Sequence, residues 1–313
     1  MATSSHPPLP PLQSDPIIQV WCIYVISNIY EACNQDVAIT DKLIRSDNIR
    51  FFLKGGNAIA LLSGGGVPYP FTGDFDCELL VNPNLPKSDF ISVYYALILK
   101  IVQELQAAIS DEWFYDELWQ ALHNNLHTPA LYYDNTIHVL RTRSKKDTTK
   151  NIDRLGDIIY GSKLISDFKM PPNCPFLMSI IPNFEWNGKE LGLGVIRIQT
   201  RTEPRTTLLE ISLPRIDYKY LPFLWDTYTY TLYRSEKMQF EVLDALSQYV
   251  DLRFAASVNE RPAFKDKRTR RANHIRNTIL KPYRNTFKKR MNRLAEKNYA
   301  INGKSFKALM NEI

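Results

Sequence analysis

The sequence predicts an α+β (mixed α/β) fold: a mixed sheet flanked by helices, followed by a helical, basic C-terminal region. Three observations lead there. Segments with helical spacing and short β-branched runs follow one another in the order helix, strand, helix, strand, helices, strands, helix, which suits a mixed core. Apolar residues make up 44 % and aromatic residues 12 % of the 313, ample material to bury. From Arg261 to Ile313 there are 16 Lys and Arg against three acids, a balance of +13 in a chain whose net charge is only +6. The first 260 residues therefore carry −7.

The elements are justified in chain order. Residues 1–15 are rich in Pro and Ser and read as a flexible extension. Asp15 and Pro16 read as an N-cap and first helical position, opening the helix PIIQVWCIYVISNIYEAC, with a second short helix expected to about Ile44. Ile49 to Leu53 reads as a strand stopped by Gly55 and Gly56, followed by a short helix, NAIALL, and a turn-rich insert, SGGGVPYPFTG. DFDCELLV alternates with the period of a strand. Ser88 to Ser110 has one apolar stripe through Ile91, Tyr94, Ile98, Ile101 and Leu105, a long helix, and Asp111 to Asn124 also reads as helical. PALYYD, TIHVLRT, CPFLMSII, GVIRIQTRT and TTLLEISLP are strand-like, the last two forming a hairpin. A helix is expected from about Ser235 to Ala256, through Leu243, Leu246 and Val250. The resulting domain division is 16–232 for the mixed core with insertions and 233–313 for the C-terminal helices.

Composition excludes several classes. Cys22, Cys33, Cys77 and Cys174 are far apart with no C-x-x-C pair, which argues against a zinc ribbon, a disulfide framework or a disulfide-linked partner, and suits a reducing, cytoplasmic location. The longest uncharged stretch, Pro16 to Tyr30, is shorter than the roughly 20 residues of a membrane-spanning helix, so no membrane is expected. The first fifteen residues hold no Lys or Arg for the basic region of a secretory signal.

The chemistry is concentrated between Phe51 and Pro83. A strand ends in a double glycine at a helix start, and a second strand then bears Asp74, Asp76 and Glu78. Strand side chains alternate, so these three carboxylates share one face while Phe75, Cys77 and Leu79 take the other. Acids two residues apart lie about 6.5 Å apart at Cα, close enough to converge on two Mg²⁺ ions about 3.5–4 Å apart. Gly55 and Gly56 supply a tight turn at a helix N-terminus, whose N–H groups approach phosphate oxygens with no Cβ in the way. Together they read as a site for phosphoryl or nucleotidyl transfer.

This segment resembles the signature of the nucleotidyltransferase superfamily typified by DNA polymerase β and polyadenylate polymerases: apolar-Gly-Gly/Ser, a short helix, then Asp-x-Asp/Glu on a strand. LKGGNAIALL followed by GDFD is most similar to the polyadenylate polymerases of large cytoplasmic DNA viruses. The resemblance implies that Gly55 and Gly56 hold the nucleotide phosphates and that Asp74 and Asp76 bind Mg²⁺ or Mn²⁺. It also implies a third carboxylate on a later strand. Glu210, a lone acid among the apolar residues of TTLLEISLP, is the candidate because burying it without a cation is costly, with Asp217 as the fallback. The 17 residues between Gly56 and Asp74 require the GGGVPYP insert to loop out.

Neighbouring residues have two readings each. Lys54 touches a phosphate or is a solvent-facing lysine at a strand end; Asn57 hydrogen-bonds the nucleotide or caps the helix. Arg197 and Arg201 read as structural ion-pair partners, with offset of triphosphate charge as the alternative. Gly161-Ser162-Lys163 is followed by no Asp-x-Asp and reads as a turn, Gly64-Gly65-Gly66 lacks the Lys-Ser/Thr of a P-loop and reads as flexible, and His123 with His127 has helical metal spacing but no Glu beside His123 as a zincin requires.

From Arg261 to Arg293 there are 13 Lys and Arg and one acid, interleaved with Phe264, Tyr283 and Phe287, a composition suited to RNA or DNA contact. Leu280-Lys281-Pro282 should break this region into two helices. The combined expectation is a metal-dependent nucleotidyltransferase using ATP or another NTP, with an RNA 3′ end as acceptor. The alternatives are a non-catalytic nucleic-acid-binding module on the same fold, or a toxin or effector modifying tRNA or protein. The location would then be the cytoplasm, or a host's if the chain is viral or delivered.

Overall fold

The computed structural model describes residues 16–39, 41–62, 73–109, 111, 138–139, 176–182, 185–186, 189–190, 194–200, 206–214, 220–235, 237–258, 262–301 and 304–313. In chain order the elements are α1 (Pro16–Cys33), β1 (Val37–Ile39), β2 (Lys42–Ile44), β3 (Ile49–Lys54), α2 (Gly55–Leu62), β4 (Phe75–Val81) and α3 (Lys87–Ile109). Then come β5 (His138–Val139), β6 (Phe176–Pro182), β7 (Glu185–Trp186), β8 (Lys189–Glu190), β9 (Gly194–Thr200), β10 (Thr207–Leu213) and α4 (Leu221–Thr227). The chain closes with β11 (Tyr230–Arg234), β12 (Gln239–Leu243), α5 (Ala245–Val258), α6 (Pro262–Ile275), α7 (Arg284–Glu296), β13 (Ala300–Ile301), β14 (Lys304–Ser305) and α8 (Phe306–Asn311).

Eight strands make one mixed sheet in the order β11-β12-β3-β4-β10-β9-β6-β5, the class of fold that the element order predicted. β3 runs antiparallel to β4, β4 parallel to β10, and β10 antiparallel to β9, so the two strands expected to form a hairpin are paired as its arms would be. On one face, α1 and α3 pack on each other and on the sheet. Trp21 stacks on Phe176 with ring centroids 5.0 Å apart, and the Tyr94 hydroxyl donates to the Leu79 carbonyl at 2.8 Å. α3 is long and apolar enough to cross a membrane by length and composition. Its stripe of Tyr94, Ile98, Ile101 and Leu105 is instead buried in this core. Cys22, Cys33 and Cys77 are buried as free thiols.

Two elements differ from expectation. The helix expected up to Ile44 is the β1–β2 hairpin, in which Val37 pairs with Ile44 and both are buried. With only two three-residue segments of β-branched character, a buried cross-strand pair decides the conformation and helical propensity does not. The helix expected from Ser235 begins only at Ala245, because QFEVL is strand β12, paired with β11 and with β3. Leu243 is therefore a sheet residue. A boundary at 233 would fall inside β11.

Asp244 stands between β12 and α5. Its carboxylate accepts the Ser247 backbone N–H at 2.9 Å, an N-cap for α5. The same group is bonded by the Thr229 hydroxyl and by Arg290 of α7, which fastens the last basic helix to the end of β12. The break expected near Pro282 is present: a π turn, Arg276–Leu280, separates α6 from α7. The expected strand PALYYD, the helix from 112 to 124, Cys174, Arg201, Asp217, His123, His127 and the glycine-rich segments at 64–66 and 161–163 lie outside the described residues.

Candidate active site

The site is built where β3 turns into α2. Leu53, buried and apolar, ends the run that the core requires, and Lys54 is the last strand residue. Gly55 then adopts φ 79°, a left-handed conformation that a side chain resists. A Cβ on Gly55 would stand 2.5 Å from the Asp76 Oδ2, so the glycine is also required by the close approach of that carboxylate. Gly56 is buried in the first turn of α2. Asn57, also buried, donates its Nδ2 to the Asp74 carbonyl at 3.1 Å and so ties the start of α2 to the start of β4. Gly73, at φ 100°, turns the chain into that strand.

The sheet register aligns the charged residues across four strands. Lys54 faces Asp76, Asp76 faces Glu210, and Glu210 faces Arg197. Arg197 Nε donates to the Glu210 carboxylate at 2.5 Å, so the structural ion pair read for Arg197 is the one formed. Lys54 Nζ donates at 2.8 Å to Glu78, one step further along β4 and buried. Burial alone would lower the Lys54 pKa, but Glu78, Asp251 and Asp76 outweigh it and hold the ammonium charged. Lys54 thus lies beneath the site, bound to Glu78, and Asp251 in turn takes a hydrogen bond from the buried Tyr228.

Asp76 is the most perturbed acid of the site. Burial, then the negative charges of Asp74 and Glu210, push its pKa up to about 7, against the smaller pull of Lys54 and Arg271. The cause is physical: Asp76 is buried with two other carboxylates near enough to act on it, and the cations that act on it offset only part of that effect. Among the described residues no three Asp, Glu, His or Cys side chains stand close enough to form a ready-made metal cage. Asp74 and Asp76 are the residues that could hold a divalent cation, with Glu210 turned toward Arg197. A pair of carboxylates of this kind suits Mg²⁺, which is commonly held through one or two carboxylates plus substrate phosphates.

Two residues of the site were not singled out from sequence. Arg271 and Lys267, one helical turn apart on α6, both feel the carboxylates: Arg271 acts on Asp76, and Lys267 is acted on by Asp74 and Asp76. In the sequence they are two cations among the many of the tail, and only the tertiary packing of α6 beside α5, which adjoins α2, marks them out.

No protein-family model matches the chain, and no curated protein is similar enough to it to count as a relative. Among solved structures, the chain is similar to the crystal structure of an antigenic nucleotidyltransferase-like protein from Paracoccidioides brasiliensis, at 14 % identity and a TM-score of 0.33. The match covers 90 % of this chain and 92 % of that one. An overlap that loose carries no argument, and the functional reading stands on the residues themselves.

Proposed function

We propose that the chain is a metal-dependent nucleotidyltransferase that transfers a nucleotidyl group from ATP or another NTP to an acceptor hydroxyl, with an RNA 3′ end as the acceptor. One observation carries this reading: a carboxylate, Asp76, lies against a left-handed glycine at a helix start, where burial and the charges of Asp74 and Glu210 make its ionised form costly without a cation. Asp74 and Asp76 would hold Mg²⁺ or Mn²⁺, and Glu210 would join them on leaving Arg197. A bound divalent cation would supply charge neutralisation at the phosphates and activation of the attacking oxygen. The chain's own part is positional: Gly55 and Gly56 admit the triphosphate to the backbone N–H groups of α2, Asn57 fixes that turn against β4, and Lys54 with Glu78 holds the strands in register beneath it. The acceptor oxygen attacks the α-phosphorus, the bond to the bridging oxygen breaks, pyrophosphate leaves, and the acceptor proton passes to Glu210 or to solvent. Exposed Lys265, Arg270, Lys288 and Lys289 on α6 and α7 offer a surface for the RNA backbone. The buried free thiols suit a reducing compartment such as the cytoplasm, that of a host if the chain is viral or delivered.

The test is incubation with each labelled NTP, Mn²⁺ or Mg²⁺, and total RNA or lysate. Label transferred by the wild type and lost in Asp76→Ala supports the reading and identifies the acceptor, RNA, tRNA or protein. Equal labelling by that variant overturns it. The Arg197–Glu210 ion pair favours a second reading, a non-catalytic nucleic-acid-binding module, which predicts no NTP consumption and RNA binding unaffected by Asp74→Ala with Asp76→Ala.

A further inference from the structure

Helix α7 has two unlike sides. On one, Phe287, Met291 and Leu294 pack into the core, and Arg290 is committed there: both its terminal nitrogens bond the Asp244 carboxylate, and Nη2 also donates to the Ser247 hydroxyl at 3.3 Å. The other side is exposed and consists of two rows at i, i+4 spacing, Arg284–Lys288–Asn292 and Asn285–Lys289–Arg293, with about 5–6 Å between successive side chains of a row. From residue 276 to residue 295 there is no Asp or Glu. A face that serves only solubility mixes both signs, and cations in the first turn of a helix oppose its dipole, yet α7 begins with Arg284 and has no acid in its first turn. On α6, by contrast, Arg270 has an acid beside it, Asp266 at 3.3 Å.

Tyr283 stands directly before this helix. It is 63 % exposed, whereas Phe287, the next aromatic residue, is packed against the core. Its backbone is ordered on both sides: the Tyr283 N–H donates to the Ile279 carbonyl at 3.2 Å, the Tyr283 carbonyl accepts from the Thr286 N–H at 2.9 Å, and Pro282 fixes the dihedral that precedes it. A ring held out in water this way gains when a flat partner covers it. Open cations at regular spacing and an adjoining open ring are the two halves of single-strand recognition, phosphate neutralisation and base stacking. A lipid surface would instead need apolar residues on the exposed side, and those of α7 face the core. We propose that α7 and Tyr283 form a binding track for a single-stranded polynucleotide, in which the Tyr283 ring stacks on an unpaired base and Arg284, Lys288, Lys289 and Arg293 neutralise the phosphates. In saying where an acceptor strand lies, this rests on the proposed function; the binding itself is carried by α7 and not by the carboxylates.

The experiment uses the full chain and fluorescence anisotropy of a short labelled single-stranded RNA, the same sequence as DNA, and the RNA as a duplex. Tyr283→Ala is expected to weaken single-strand binding about tenfold, to leave the slope of log affinity against log salt unchanged, and to spare the duplex, whose paired bases offer no open face. Tyr283→Phe is expected to bind as the wild type does, because stacking needs the ring and not the hydroxyl. Lys288→Gln with Lys289→Gln should weaken single strand and duplex alike. Equal affinity for the RNA and DNA strands and preference for RNA both support the track, and only the second makes RNA its ligand. Single-strand affinity unchanged in Tyr283→Ala, an equal loss on the duplex, or a Tyr283→Phe variant as weak as Tyr283→Ala overturns the proposal. So does polyglutamate bound as tightly as RNA by the wild type and by Tyr283→Ala, which would assign the face to an acidic protein. Each of these leaves the nucleotidyltransferase reading standing. Ring-dependent binding without NTP consumption removes that reading and leaves the track.

Discussion

Gly55 is held by two independent constraints, a left-handed backbone and the carboxylate of Asp76 at the position a Cβ would occupy. Gly55→Ala is therefore expected to lose about 1–2 kcal/mol through the backbone alone, and to displace Asp76 as well. Urea denaturation reads the first effect and Mn²⁺ titration the second; a variant as stable as the wild type with intact Mn²⁺ binding would contradict the geometry. Asp76 gives a pH prediction whose sign is fixed. Its folded pKa, raised to about 7 chiefly by burial, lies above the ordinary aspartate value of 3.8, so the native state binds this proton more tightly than the unfolded chain does. Its contribution to stability is full below about pH 4, falls as pH rises toward 7, and is flat above. Denaturation at pH 5 and pH 8 with chelator present should show a larger drop for wild type than for Asp76→Asn. Equal drops would mean that the carboxylate is not charge-stressed. Sequence showed the acids and the glycines, because alternation and spacing are local; the φ of Gly55 and its close approach to Asp76 are properties of the folded turn.

At the scale of elements, strand register decides which charges meet. Glu210 was legible as a lone acid in an apolar strand, and Arg197 as an ion-pair candidate, because both stand out from a β-branched background. That they face each other depends on the irregularity in the β9–β10 pairing between Thr207 and Leu209, which no local pattern encodes. If Glu210 is the third ligand, the ion pair competes with the cation. Removing it by Arg197→Ala should then tighten Mn²⁺ binding roughly tenfold, the scale of one hydrogen bond to a charged group, and Glu210→Gln in that background should reverse the gain. Unchanged affinity would exclude Glu210 from the cation site. The same scale explains the two misread elements. In β1–β2 and β12, short segments with some helical character are recruited by partners, Val37 by Ile44 and QFEVL by β3, and such long-range pairing outweighs local propensity.

Across the whole molecule, charge is separated between an acidic body and a basic end that folds back beside the acids. The split was visible in the sequence; that α6 returns to the acidic site was not, since nothing local links residue 271 to residue 76. Exposed cations on α6 and α7 predict salt-sensitive RNA binding. Neutralising Lys288 and Lys289 together should weaken binding of a single-stranded RNA regardless of sequence. It should also reduce the slope of log affinity against log salt by about 1.4, roughly 0.7 for each phosphate that is no longer neutralised. A slope equal to that of the wild type would place the RNA elsewhere.

The order in which the chain emerges during synthesis gives the β3–β12 pairing a final consequence. Strand β3 carries the turn into Gly55 and Gly56, yet its second neighbour, β12, is among the last strands to be made. Until residue 243 has left the ribosome, one edge of β3 has no partner, and an unpaired apolar edge is a template for association with other chains. A nascent or prematurely terminated product ending before β12 is thus prone to aggregate, and engineered shortening from the C-terminal side has a hard limit at that strand.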